Sequence, residues 1–201
     1  MTVSTIGVAD AGTPDKYLHT NQRTISSTAR EDQYVLQGES AYPTYTVTGD
    51  SISAATANSH TLQIMGDGSN YSRIKRIHVV PYYVTTASIF RFAIVRLSSA
   101  GTSGSAITPA PFDTSDTYGG GAASLPSSKG TEGAVLMAFT VVAPTATPAL
   151  PHTQFTWEPP LGTKPIIFGT ATSNGIALKN IDGKSGGLVF ATIEFITTSY
   201  L

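Results

Sequence analysis

The chain carries four histidines, at positions 19, 60, 78 and 152, and these are the first residues that could do acid–base or metal chemistry. Imidazole titrates near neutrality and ligates metals well. None of the four stands in an HxH, HExxH or HxxE arrangement, so their spacing assigns neither a metal nor a triad, and each is read as a structural or surface residue. A serine nucleophile is sought in GxSxG at a strand-to-helix elbow. Gly101-Thr102-Ser103-Gly104-Ser105 does not fit, because position 105 would have to be glycine. Ser127-Ser128-Lys129-Gly130 lacks the glycine frame with which a P-loop turns backbone N–H groups on phosphate.

Two oxygen-rich turns could hold a hard cation. Asp67-Gly68-Ser69-Asn70 offers side-chain and backbone oxygens of the kind calcium takes, against the plainer reading of an Asx-stabilised hairpin turn. Asp113-Thr114-Ser115-Asp116 has two carboxylates three apart and reads as a hydrated loop. Glycoside cleavage needs two acids about 5–10 Å apart across a cleft, and 13 scattered acids single out no such pair. Tyr42, Tyr45, Tyr82, Tyr83 and Trp157 could form a stacking platform for sugar, or ordinary core and interface. Arg73-Ile74-Lys75-Arg76 is too brief a basic run to mark nucleic-acid binding and reads as one side of a strand facing solvent or another subunit. No catalytic, cofactor-binding or metal-ligating residue is assigned, and no cofactor is expected.

The elements that would position these residues are strands. Thr and Ser make up 29 and 21 of 201 residues, with 19 Gly and 12 Pro, all poor helix formers. Strand patterns recur at Thr44–Thr48, His60–Ile64, Ile74–Val84, Ile89–Leu97, Ala134–Val142, Gln154–Trp157, Pro165–Phe168, Gly175–Asn180 and Leu188–Thr197. Pro81 cannot donate to a ladder, so a bulge, an edge or an end is expected there. Ile89–Leu97 is apolar on both faces, Phe90, Phe92 and Ile94 on one and Ile89, Ala93, Val95 and Leu97 on the other, with Arg91 among them. Such a strand is covered on both sides, and a single sandwich covers one; an arm, a loop or another subunit must supply the second. Ala134–Val142 repeats the pattern.

Two stretches lack a period. Residues 1–42 hold few apolar residues and are read as an extended arm that orders on a neighbour, with a flexible tail or a first strand as alternatives. Residues 98–133 are Gly/Ser/Pro-rich and read as a long ordered loop anchored by Phe112 and Leu125. The expected fold is all-β: a single β-sandwich of jelly-roll type over 43–201, with the arm before it and the 98–133 excursion within it.

Bulk properties exclude several classes. A net charge of -1 gives no general attraction to nucleic acid. The absence of cysteine rules out a disulfide framework, thiol catalysis and zinc–thiolate sites. Met1-Thr2-Val3-Ser4-Thr5-Ile6 has neither a basic n-region nor a long apolar h-region, so no secretory signal is expected. No run approaches the ~18 apolar residues of a membrane span. Charged residues are only 12% of the chain, against about 25% usually, which suits wide neutral contacts.

Three segments form a set: Arg96-Leu97-Ser98-Ser99-Ala100-Gly101-Thr102-Ser103-Gly104-Ser105-Ala106-Ile107-Thr108-Pro109-Ala110-Pro111-Phe112-Asp113-Thr114, then Lys129-Gly130-Thr131-Glu132-Gly133, then Asn174-Gly175-Ile176-Ala177-Leu178-Lys179-Asn180. Over roughly 59–198 the set resembles mostly uncharacterised proteins of tailed phages and phage-like metagenomic contigs. The resemblance implies a non-enzymatic structural protein of the virion, assembled in the host cytoplasm, and carries no catalytic residues with it. A capsid decoration or head-associated protein is the expected role, with a homo-oligomer, guessed as a trimer, and other virion proteins such as the major capsid protein as partners. Neither membrane nor direct nucleic-acid contact is expected. The alternatives are a carbohydrate- or receptor-binding module of a tail fibre or adhesin, and a self-assembling extracellular filament subunit.

Overall fold

The computed structural model describes residues 3–7, 17–25, 28–33, 42–83, 88–118, 121–143 and 153–198. They fall in two compact units, Met1–Ala41 and Tyr42–Leu201. In the first, β1 (Val3–Gly7), β2 (Tyr17–Ile25) and β3 (Thr28–Gln33) form an antiparallel three-stranded sheet. Gly7 faces Tyr17 at one connection and Ile25 faces Thr28 at the other. The described residues of the expected arm thus pair with one another. Thr, Tyr and Ile suit the extended backbone, and the ladder forms in a stretch whose apolar residues keep no period.

The second unit runs β4 (Thr44–Ser53), β5 (Ser59–Met65), β6 (Tyr71–Tyr83), β7 (Ser88–Leu97), β8 (Thr102–Ile107), β9 (Ala110–Pro111), β10 (Ala123–Ser128), β11 (Glu132–Ala143), β12 (Phe155–Trp157), β13 (Ile167–Phe168), β14 (Gly175–Asn180) and β15 (Leu188–Thr198). No described residue is helical. One sheet has the order β11-β7-β14-β5-β10-β8; the other has β12-β6-β15-β4-β9, with β13 also paired to β6. Every pairing is antiparallel. From β4 to β7 the chain alternates between the sheets at each step, and it does so again over β14 and β15.

One core lies between the sheets. Val189, Ala191, Ile193 and Phe195 alternate inward along β15 and meet Phe90, Phe92 and Ile94 of β7, Leu62 and Ile64 of β5, and Ile74, Ile77 and Val79 of β6. Burying each large apolar side chain contributes about 1.5–3 kcal/mol. Pro81 falls where the β6–β15 register shifts, and β12 pairs no further along β6 than Val79, so no partner strand needs the missing N–H.

The stretch expected as one long loop over 98–133 instead carries strands β8, β9 and β10 and the start of β11. β8 and β10 form one wing of the first sheet, and β9 extends the other. Their Thr, Ser, Gly and Pro residues give no hydrophobic period because β8 ends its sheet with five of six residues exposed. Gly104 takes φ +102°, a conformation that glycine adopts without a Cβ penalty. Leu125 packs against the core as expected, but Phe112 is 60% exposed and anchors nothing there.

Candidate functional site

The chemistry-bearing residues separate into a polar lock, a cationic cleft and turns closed on themselves. The lock joins β5, β14 and the start of β11. His60 is buried on β5, and the Gly130 N–H donates to its Nδ1 at 3.2 Å. That acceptor role places the ring proton on Nε2, which lies 3.2 Å from Glu132 Oε1. Lys129 donates to the same oxygen at 3.3 Å, and Lys179 of β14 donates to Oε2 at 2.6 Å. Burial depresses the His60 pKa; Glu132 favours the charged form, and the two lysines oppose it more weakly. Burial alone would raise the Glu132 carboxyl, but hydrogen bonds from Lys179 and Lys129 hold it below its usual value.

The lock pins segments that pack over a second apolar cluster. Met65, Ala93, Val95, Leu97 and Ala177 lie on the outer face of the first sheet, 0–4% exposed, with Ala100 and Ile181 packed against them. Gln63 ties down the 98–101 segment: its Nε2 donates to Gly101 O at 3.1 Å, and Gly101 N–H donates to its Oε1 at 2.8 Å. Ser99 Oγ donates to Thr131 Oγ1 at 2.9 Å. A Cβ at Gly130 would run into the backbone of Ser99 and Ala100, so the two loops touch main chain to main chain. The second face of β7 is therefore covered in part by the chain's own loops along 93–97. Residues of the 96–114, 129–133 and 174–180 segments meet at this lock.

Beyond it, Ile89 at the other end of the same face is 56% exposed. Its β11 partner Val142 is 39% exposed, and Val135, opposite Val95, is 60% exposed. β11 ends its sheet, and Gly133–Ala143 carry no charged residue. From Met137 to Ala143 its register with β7 is unbroken.

The cationic cleft has a volume of about 590 Å³ and is lined by Arg73 of β6, Arg96 of β7 and Lys164, with Tyr71 and Pro165. No acid lines it. Arg96 is half-buried, and its Nη1 donates to the Ile167 carbonyl. Burial pushes its pKa below the usual value. Sequence reasoning missed this site because its cations are 23 and 68 positions apart; the one available signal was an arginine inside an apolar strand.

The remaining candidates do not assemble a site. Asp67 Oδ1 accepts from Ser69 N at 2.7 Å and Asn70 N at 2.5 Å, and Oδ2 accepts from Asn70 Nδ2 at 2.7 Å. Its oxygens are spent on an Asx turn. Asp113 Oδ1 accepts from Ser115 N and Oγ at 2.9 and 2.8 Å. Among the described residues no three His, Cys, Asp or Glu side chains gather to hold a metal. A cavity of about 310 Å³ beside His60 is lined also by Ser59 and Ser127, yet the ring nitrogens face Gly130 and Glu132 and no described serine. His78 Nδ1 pairs with Thr156 Oγ1 at 2.9 Å. His19 pairs in register with Thr5 on β2, and His152 lies outside the described residues.

Among the described side chains the aromatic platform does not come together. Tyr45 is 3% exposed, edge-on to Tyr118 at 4.9 Å, and Trp157 packs on the core. Burial pushes Tyr118 up to about 12. Tyr42 is half-buried, and the side chains of Tyr82 and Tyr83 lie outside the described ones. The basic run is also divided. Ile74 is core, while Arg76 pairs with Glu158 at 2.7 Å and Glu194 at 3.2 Å. No protein-family model matches the chain, nor does any curated protein or solved structure.

Proposed function

We propose that the chain is a non-enzymatic structural subunit of a tailed-phage virion, a capsid decoration or head-associated protein that assembles as a closed oligomer. The observation that carries the reading is the set of exposed apolar side chains along the outer face of the sheet edge. Ile89, Val142 and Val135 are exposed beside β11, a 12-residue strand at the sheet edge. Long apolar edges left open are templates for another chain. The occupant is a second copy: each copy offers a neutral edge, and a ring of three, each β11 set against its neighbour, closes without leaving one free. We read the second unit as a jelly-roll sandwich. Its strand order supports this, with β4-β15-β6-β12 facing β5-β14-β7-β11 and the chain crossing between sheets at each step from β4 to β7.

The test is composition. Purified particles of the phage encoding the chain, analysed by mass spectrometry and by antibody labelling in the electron microscope, should contain it at stoichiometric level on the head. Its absence from washed particles overturns the reading.

A further inference from the structure

Both ring nitrogens of His60 are committed. The Gly130 N–H donates to Nδ1 at 3.2 Å, and Nε2 lies 3.2 Å from Glu132 Oε1. The side chain is 0% exposed. An imidazolium is a donor at both nitrogens. Its Nε2–H keeps Glu132, but its Nδ1–H points at the Gly130 N–H, donor against donor. The charged groups that face the ring are Glu132 at the start of β11, Lys129 just before it and Lys179 of β14. Burial raises the Glu132 carboxyl, yet hydrogen bonds from Lys179 and Lys129 hold it below its usual value. It is therefore still ionised where an imidazole takes up a proton. The Glu132 side of the ring holds, and the Gly130 side is the one that must give way.

Gly130 carries a covering loop with it. It meets the 98–101 segment main chain to main chain, since a Cβ there would run into the Ser99 carbonyl. Next to it, Thr131 O accepts from Ser98 N at 3.0 Å, and Ser99 Oγ accepts from Thr131 N at 3.0 Å. The 129–131 and 98–101 loops thus move as a pair. Ala100 packs on the cluster of Met65, Ala93, Val95, Leu97 and Ala177. Val135, opposite Val95 on β11, is already exposed. Lifting the loops would join the covered cluster to Val135 in one apolar face.

We propose that His60 is an acid-operated latch: a proton on Nδ1 expels Gly130, the paired loops lift from the outer face of the first sheet, and the Val95 cluster opens to solvent while the sandwich stays folded. The two hydrogen bonds between Gln63 and Gly101 involve no titratable group, so the far end of the 98–101 segment stays attached. Buried in the closed form, His60 takes up a proton less readily than a free imidazole. Below about pH 6.5 the open form therefore gains about tenfold per pH unit until the closed value is passed, and above it the latch is shut. The latch is independent of whether the chain is a virion subunit.

The test is a heteronuclear NMR titration of the full chain from about pH 7.5 to about pH 5, with the dye anilinonaphthalene sulfonate reporting exposed apolar surface. The amides of Gly130 and 98–101 should shift with the midpoint of the His60 ring and lose at least about tenfold in exchange protection. Dye fluorescence should rise over the same range while the core amides of Phe92 and Ile193 stay protected. His60→Gln offers an acceptor and a donor that do not titrate, so it should show none of these changes. The wild-type titration decides the matter even where the variant does not fold. A Gly130 amide that stays put while His60 titrates overturns the proposal. So does a ring that titrates only as the core amides lose protection, or dye binding that rises equally in folded His60→Gln.

Discussion

The outer face of β7 has two halves of unlike fate. Along Ala93, Val95 and Leu97 it is 0–4% exposed beneath packed Ala100 and Ile181, while at Ile89 it is 56% exposed. The covered half is wholly apolar, whereas Arg91, exposed and paired with Asp182 at 2.6 Å, stands beside Ile89 in the open half. What also separates them is whether a polar group holds a loop over the strand. Glu132, His60 and Gln63 do so at one end. No such group holds a described loop over Ile89. A two-sided apolar strand therefore asks for cover, but the cover need not be another molecule.

The sharpest way to break the comparison is to charge the covered half. Val95→Asp sets a carboxylate where exposure is 0%; a loss of about 4 kcal/mol or more is expected, seen as failure to fold or a collapse in the denaturant midpoint. Removing the lock is next. Glu132→Ala leaves Lys179 and His60 without their acceptor, and chemical denaturation should show a loss of about 2–4 kcal/mol. Amide exchange should rise at 98–101 and not at Ile89.

The lock also predicts a pH profile. The folded pKa of His60 is depressed below 6.5, so the unfolded chain takes up a proton first as pH falls. Stability is whole above about 6.5 and declines from there until the folded value is passed. Glu132, depressed below 4.5, adds a second loss as pH falls through its lowered value. Melting curves should decline in both ranges, and His60→Gln should remove the upper decline.

The strands that built this comparison were legible in the sequence wherever apolar residues recur. β4, β5, β7, β11, β14 and β15 all lie over the predicted runs. β8 and β10 were not legible, because an exposed edge of Ser, Thr and Gly leaves no periodic signal. The paired residues of β1, β2 and β3 were hidden because their apolar residues keep no period. The lock was visible only as separate pieces: nothing in the spacing of Lys129-Gly130-Thr131-Glu132-Gly133 and Lys179 announces that Glu132 meets Lys179 at 2.6 Å. The cleft was less visible still, since its cations come from three elements joined only by folding.

The smallest expected effect on stability comes from charging the uncovered half. Ile89→Asp should shift stability by no more than about 0.5 kcal/mol, because the site is already in water. The same change bears most directly on the central claim, that this half is a contact surface between copies. Sedimentation velocity over a range of concentrations decides it. Wild type should sediment as a closed oligomer and Ile89→Asp as a monomer with an unchanged melting curve. A wild type that stays monomeric at every concentration, or a variant that assembles as well as wild type, contradicts the account.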